Sequence, residues 1–431
     1  MKVLMFGWEF PPYIAGGLGT ACYGLTQGLA KNHVKVSFVM PKASGEEDQR
    51  KIKIINASDV EWDIYYSNLF QENSELSFIE VNSTLIPYVG LDDYFNVVNQ
   101  MESGLFEKKE NGSKRKYLFS GTYGENLLEE VNHYAIVAAE IAQREQFDII
   151  HAHDWLTFRA GIMAKKVSGK PLVIHVHATE FDRSSEYNRN DVVYGMEKEG
   201  MEAADAICAV SDWTRNIIIE KYGISPDKVF TLHNAVEQNK EEIIRQKHLT
   251  SKIVTFLGRV TFQKGPEYFV ETAKKVMEKD KDVRFVLAGD GDMMTRVIER
   301  VAELGLSDRF HFTGFLTGSD IDTLFGMSDV YVMPSISEPF GISPLEAMRA
   351  HVPVVISKQS GVSEVLQYAI KVDFWDVDAT ADAIYGILHY PALAKIFAEK
   401  GKEEVNNLKW EYVAKKLKGI YEDVLAKHKF L

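Results

Sequence analysis

Short apolar runs alternate with amphipathic helical stretches through most of the chain. Runs of this kind, bounded by turn residues, read as strands buried on both faces. Their alternation with helices predicts a parallel α/β architecture. In the first half the expected strands are Lys2–Phe6, Val34–Met40, Ile149–Ala152, Leu172–Val176, Ala206–Val210 and Val229–Leu232. Helical patterns at Ala21–Asn32, Glu125–Glu145 and Trp213–Tyr222 separate most of them. Gly223 and Pro226 supply a stop for the last of these. Residues 44–120 break the pattern with charges, Asn, Ser and Gly, and hold only brief strand-like runs at Lys51–Asn56 and Leu76–Val81. They read as an elaboration on the first domain, either shaping an acceptor site or functionally inert.

Polarity rises sharply at 237–252, which reads as a linker. A second α/β series follows, with strands expected at Ile253–Leu257, Val283–Ala288, Arg309–Thr313, Val330–Met333, Val352–Ile356 and Ile370–Val372. The tail Trp410–Ala426 places Tyr412, Val413, Leu417, Ile420, Tyr421 and Leu425 on one helical face. The organisation expected is a domain over 1–236, the linker 237–252, a second domain over 253–405 and a terminal helix within 406–431.

Composition narrows the partners. The 431 residues carry 45% hydrophobic content and a formal net charge of −13. Two or three domains with ordinary cores are possible. The charge argues against nucleic acid and against docking on anionic membranes. The basic stretch Ser113–Lys116 is too short to change that. The first apolar run is interrupted at Glu9, too early for a secretory or membrane-spanning segment. Cys22 and Cys208 are the only cysteines and are expected as free buried thiols. A cytoplasmic location follows, which makes the sequons at Asn56, Asn82 and Asn111 irrelevant.

The chemistry-bearing residues cluster at strand ends. Glu338 follows the strand Val330–Met333, and Glu346 sits early in the next helix with seven residues between them. Gly341 and Ile342 lie in the turn, where amides near a helix start suit an anion. Carboxylates beside a phosphate repel it, so the two glutamates suit sugar or ribose hydroxyls. Arg259 follows another strand and Lys264 precedes a helix opening near Pro266. A guanidinium and an ammonium can jointly grip a diphosphate, although two surface cations would look the same. Gly16-Gly17-Leu18-Gly19 opens the first helix, with Thr20 as a candidate cap. Gly17 and Gly19 permit close approach to a phosphate, and a tight turn without ligand explains them equally. The spacing is not the dinucleotide fingerprint.

His151 and His153 in one strand, and His175 and His177 in another, each share a face. They fit a metal-dependent hydrolase, strand-end packing, or metal-free binding of sugar hydroxyls together with Asp154. No metal is expected, because no further residues complete a ligand set. Asn234 is either a polar contact at a cleft or a turn residue. Gly289 could admit a nucleotide, or the Gly289–Asp292 turn could simply end its strand.

In order along the chain, Gly16–Gly19, His151–Trp155, His177–Asp182, Gly258-Arg259 with Lys264-Gly265, and Glu338 with Glu346 resemble the GT-B glycosyltransferases of the GT4 type. In several places they resemble the glycogen and starch synthases. The resemblance implies two Rossmann-like domains facing across a cleft, a retaining hexosyl transfer and no cofactor, the nucleotide sugar being a substrate. It implies that Glu346 holds the ribose, Glu338 the donor sugar, and Arg259 with Lys264 the diphosphate. His177 would lie by the donor sugar, Asp154 on the acceptor side, and Gly17 and Gly19 against the phosphates. The terminal helix would cross back to the first domain.

Bacterial ADP-glucose synthases commonly carry a Lys where this chain has Ile14, and often lack the second glutamate, which is present here as Glu346. Both departures move the expectation from ADP-glucose towards UDP-glucose. The acceptor expected is an α-glucan. A small sugar, a sugar phosphate or a lipid-linked sugar is the alternative, and a hydrolase, a sugar-nucleotide epimerase and a non-catalytic carbohydrate binder are the competing classes. Oligomeric state is open.

Overall fold

The computed structural model describes residues 1–12, 16–63, 106–107, 114–184, 188–236 and 251–429. The contacts divide the chain into two units. Unit 1 comprises Met1–Val210, Thr214–Leu232 and Trp410–Leu431, and unit 2 comprises Ser211–Trp213 and His233–Lys409. The linker expected at 237–252 lies outside the described residues as far as Thr250, and Lys252 already opens a strand. His233–Val236, read from sequence with the first domain, pack with unit 2.

In unit 1 the strands are β1 (Lys2–Phe6), β2 (Lys35–Met40), β3 (Lys53–Asn56), β4 (Trp62–Asp63), β5 (Phe106–Glu107), β6 (Lys114–Tyr117), β7 (Ile149–His153), β8 (Leu172–Val176), β9 (Ala206–Ala209) and β10 (Val229–Thr231). Seven of them form one parallel sheet in the order β10-β9-β8-β7-β1-β2-β3. The continuous apolar runs are explained by burial on both faces: all of β7, β8 and β9 is buried. Helices Gly17–Lys31, Leu127–Arg144, Trp155–Ser168 and Asp191–Ala203 belong to this unit. The structure corrects one expectation here. Lys53–Asn56 is a strand of the main sheet, paired with β2, not part of a separate elaboration. The strands β4, β6 and β5 make a small antiparallel sheet. The run Leu76–Val81 and Ile14 lie outside the described residues.

The terminal helix Trp410–His428 packs on Gly17–Lys31 within unit 1, burying Trp410, Ala414, Leu417, Ile420, Tyr421 and Val424. Its polar face is tied down as well. Lys416 Nζ donates to the Thr231 carbonyl at 2.7 Å, and Asn32 donates to the Glu411 carbonyl at 3.0 Å. Both cysteines are buried and free.

Unit 2 has β11 (Lys252–Leu257), β12 (Val283–Ala288), β13 (Phe310–Gly314), β14 (Val330–Met333), β15 (Val354–Ser357) and β16 (Ile370–Val372). They form a parallel sheet in the order β13-β12-β11-β14-β15-β16. A core of Val254, Phe256, Phe269, Phe285, Leu287 and Val332 joins the sheet to helices Pro266–Lys279 and Val377–His389. No helix among the described residues is long and apolar enough to cross a membrane.

Candidate active site

Open parallel sheets bind ligands at the carboxyl ends of strands where the strand order reverses. In unit 2 that point lies between β11 and β14. The turn after β11 carries Arg259 and Lys264, and the turn after β14 carries Glu338, so the reversal brings distant residues to one place. Lys264 Nζ meets Glu338 Oε2 at 2.5 Å. Ser335 Oγ donates to the same oxygen at 3.2 Å. Glu338 is only 5% exposed. Its backbone is clamped: its N–H donates to Gln359 O at 3.0 Å and its carbonyl accepts from Gly361 N at 2.9 Å. The Ile336 N–H donates to Gln263 O at 2.9 Å, tying the two turns together.

Two glycines are required by this close approach. Gly265 has φ +64° between Lys264 and the helix Pro266–Lys279, and a Cβ there would stand 2.3 Å from the Pro334 carbonyl oxygen. Gly289, at φ +140°, would put a Cβ 1.8 Å from the Gly258 carbonyl oxygen, and its N–H already donates to Gly314 O at 2.8 Å. Backbone packing between the turns after β11 and β12 therefore accounts for Gly289 without a ligand.

Gly341 has φ +98° and precedes Ile342, the N-cap of a seven-residue helix, Ser343–Arg349. The helix begins two residues earlier than the apolar pattern at Leu345 suggests, because Pro344 fits its first turn. Glu346 is partly buried there. Burial raises its carboxyl above the usual range, Arg349 opposes the rise and Asp322 adds to it. Asn234, also in unit 2, is 6% exposed, and its Oδ1 lacks a hydrogen-bond partner among the described residues.

In unit 1 the order reverses between β1 and β7. Gly16, with extended backbone, caps the helix after β1, so Gly17 and Gly19 sit in its first turn. Thr20 lies inside the helix and is not the cap. At the end of β7, Asp154 is a non-glycine residue at φ +58°, a conformation that costs energy and is concentrated at functional sites. Its Oδ1 accepts from His177 N at 2.6 Å and from Ala178 N at 3.4 Å. Burial pushes the Asp154 carboxyl up to about 7, against the His177 amide and nearby Arg183.

The four histidines form one array. His151 and His153 stack at 4.5 Å and 9°, and His175 and His177 stack at 4.4 Å and 20°. His153 Nδ1 meets His177 Nε2 at 2.9 Å, and His151 Nδ1 is paired with the Tyr421 hydroxyl. Burial holds His151, His153 and His175 well below the usual imidazole range, the neighbouring histidines adding to the effect, and pushes His177 down to about 3. The array is neutral. The rings stack, and one ligand atom from each of His151, His153 and His175, and from each of Cys22, His153 and His177, lies within 4.8 Å of the others in its set, so either set could hold a metal ion.

Sequence reasoning missed the support beneath this array. After β8, Thr179 and Asp182 form a capping box. Arg183 lies between Glu180, at 3.2 Å, and Glu197, and the Tyr222 hydroxyl also donates to Glu197. Thr179 and Asp182 fall within the His177–Asp182 motif that the sequence shows. Glu197 and Tyr222 come from two later helices, and no spacing announces them.

Comparisons with known proteins bear on the family and the fold. The starch synthase catalytic domain model matches residues 2–231, and the glycosyl transferases group 1 model matches residues 238–404. An uncharacterized glycosyltransferase of Methanocaldococcus jannaschii is 25% identical, over 98% of this chain and 98% of its own. A glycogen synthase of Mycobacterium tuberculosis is 22% identical, over 98% of this chain and 94% of its own. Among solved structures, sucrose-phosphate synthase from Thermosynechococcus elongatus superposes with a TM-score of 0.72 at 18% identity, covering 99% of each chain. The chain belongs to the starch synthase catalytic domain family: it is a glycogen synthase-like glycosyltransferase of the GT-B type, using a nucleotide-sugar donor.

Proposed function

We propose that this enzyme transfers a glucosyl unit from UDP- or ADP-glucose to a hydroxyl of an α-glucan, with retention at the anomeric carbon. The observation that carries the donor side is the Lys264–Glu338 pair at the strand-order reversal of unit 2. As the glycosidic bond breaks, negative charge grows on the leaving diphosphate. Arg259 and Lys264 stabilise it where it develops. Glu338 keeps Lys264 in place and offers its remaining acceptor capacity to sugar hydroxyls. Glu346 takes the ribose hydroxyls, with Gly341, Ile342 and Asn234 lining the same donor site. Gly17 and Gly19 supply amides for the phosphates, His177 a contact to the donor sugar, and Asp154 the acceptor side. No metal takes part. The full-length similarity to a glycogen synthase supports the glucan acceptor.

The test crosses a donor panel with an acceptor panel, reading nucleoside diphosphate release and product mass. Lys264→Ala and Arg259→Ala lower turnover by roughly a hundredfold, about 2.7 kcal/mol of transition-state stabilisation. Near-normal turnover in folded variants defeats the assignment. Glu346→Ala weakens donor binding by about tenfold, and unchanged donor affinity counts against its ribose role. Transfer only to small sugars, sugar phosphates or lipid-linked sugars replaces the glucan. Turnover that collapses on chelation favours a hydrolase.

A further inference from the structure

His153 is wholly buried at the end of β7, and its two ring nitrogens have unequal surroundings. Nδ1 meets His177 Nε2 at 2.9 Å. Nε2 has no hydrogen-bond partner among the described residues. A neutral imidazole carries one N–H and one lone pair, so the single proton of His153 has two possible homes. On Nε2 it would be a buried, unpaired donor. On Nδ1 it is satisfied by His177, and only a lone pair is left facing the protein interior. Buried orphan donors are rarer than under-used acceptors, and leaving one costs about 1–3 kcal/mol.

His153 therefore carries its proton on Nδ1 and donates to His177 Nε2. His177, being neutral, must then hold its own proton on Nδ1. Unlike His153, His177 is partly exposed.

We propose that His153 is a positioning residue that fixes the Nδ1–H tautomer of His177, so that His177 presents a hydrogen-bond donor, and not an acceptor, to an oxygen of the sugar nucleotide. The identity of that ligand rests on the function proposed above, whereas the tautomer does not. A hydrogen-bond donor at this position suits hydroxyl lone pairs and the charge that grows on a departing phosphate oxygen. The acceptor tautomer would repel that charge.

Selective nitrogen-15 labelling of histidine in the whole chain reads the tautomer directly. At near-neutral pH the signal that disappears in His177→Gln is expected to show its proton on Nδ1. His153→Asn keeps an amide N–H close to the Nδ1 position, so it preserves the His177 tautomer and most of the turnover. His153→Leu removes the donor. It leaves His177 a mixture of tautomers and lowers kcat by about tenfold, with donor KM less affected. A proton on Nε2 of His177 in the wild-type chain overturns the proposal, as does equal loss of kcat in the Asn and Leu variants. The wild-type spectrum, assigned through His177→Gln, decides even if a His153 variant fails to fold. An Nδ1 proton combined with full turnover in His177→Gln upholds the tautomer and removes His177 from the transfer reading instead.

Discussion

His175 buries both ring nitrogens without a hydrogen-bond partner among the described residues, while stacking on His151, His153 and His177. Its ring contributes packing and its polarity a cost. His175→Phe keeps a flat ring there and removes a buried unsatisfied donor, so thermal stability near neutral pH is expected to stay level or rise by about 1 kcal/mol. The acid side gives a sharper reading. Burial holds His175 far below the usual imidazole range, while the unfolded chain takes up a proton below about pH 6.5. The stability contributed by its neutral form is thus present above that pH and lost as pH falls. In denaturant titrations below this pH the wild type should lose up to about 1.4 kcal/mol more per pH unit than His175→Phe, the slope for one proton. Parallel pH profiles for the two proteins would refute the reading. Same-face placement of each histidine pair was legible from strand alternation. The joining of two pairs into one neutral array was not, since that depends on β7 and β8 being neighbours in register.

At the scale of elements, packing between Gly17–Lys31 and Trp410–His428 depends on glycines that local propensity would reject. A Cβ at Gly28 would stand 2.4 Å from the Trp410 carbonyl oxygen, and one at Gly24 would stand 2.2 Å from the Trp410 indole nitrogen. Replacing a helical glycine by alanine normally gains about 1 kcal/mol. The carbonyl cannot swing aside as a flexible side chain could, and overpacking costs about 1–3 kcal/mol. Gly28→Ala is therefore expected to lower the unfolding midpoint. Gly195→Ala, in a helix where an added Cβ meets nothing within 4 Å, should raise it. A stabilised Gly28→Ala would show that the terminal helix is not seated as described. The apolar face of that helix was readable from its spacing, but its partner was not. The same limit explains β3, whose run Lys53–Asn56 is only partly buried and so carried a weak strand signal. Pairing with β2 supplies the backbone partners that fix it.

For the molecule as a whole, chain order and structural membership diverge: the last helix is counted with unit 1, although it follows unit 2 in sequence. Deleting residues 410–431 removes six buried residues from unit 1, each large apolar side chain among them worth about 2 kcal/mol. Hydrogen exchange should then show β1, β2 and β7 losing protection while β11 and β14 keep theirs. Nucleotide binding should outlast turnover, and protection lost first in unit 2 would contradict this division. The sequence by itself determined the parallel α/β class, most strand positions and the residues able to do the chemistry, because periodicity and turn signals are local and each strand writes its own burial. It also carried the family resemblance. Only the tertiary structure decided which turns meet, that Lys264 pairs with Glu338, that Gly289 is demanded by the Gly258 carbonyl, and that His153 leans on His177. Those contacts join residues far apart in the chain, and strand order, which no local pattern encodes, brings them together.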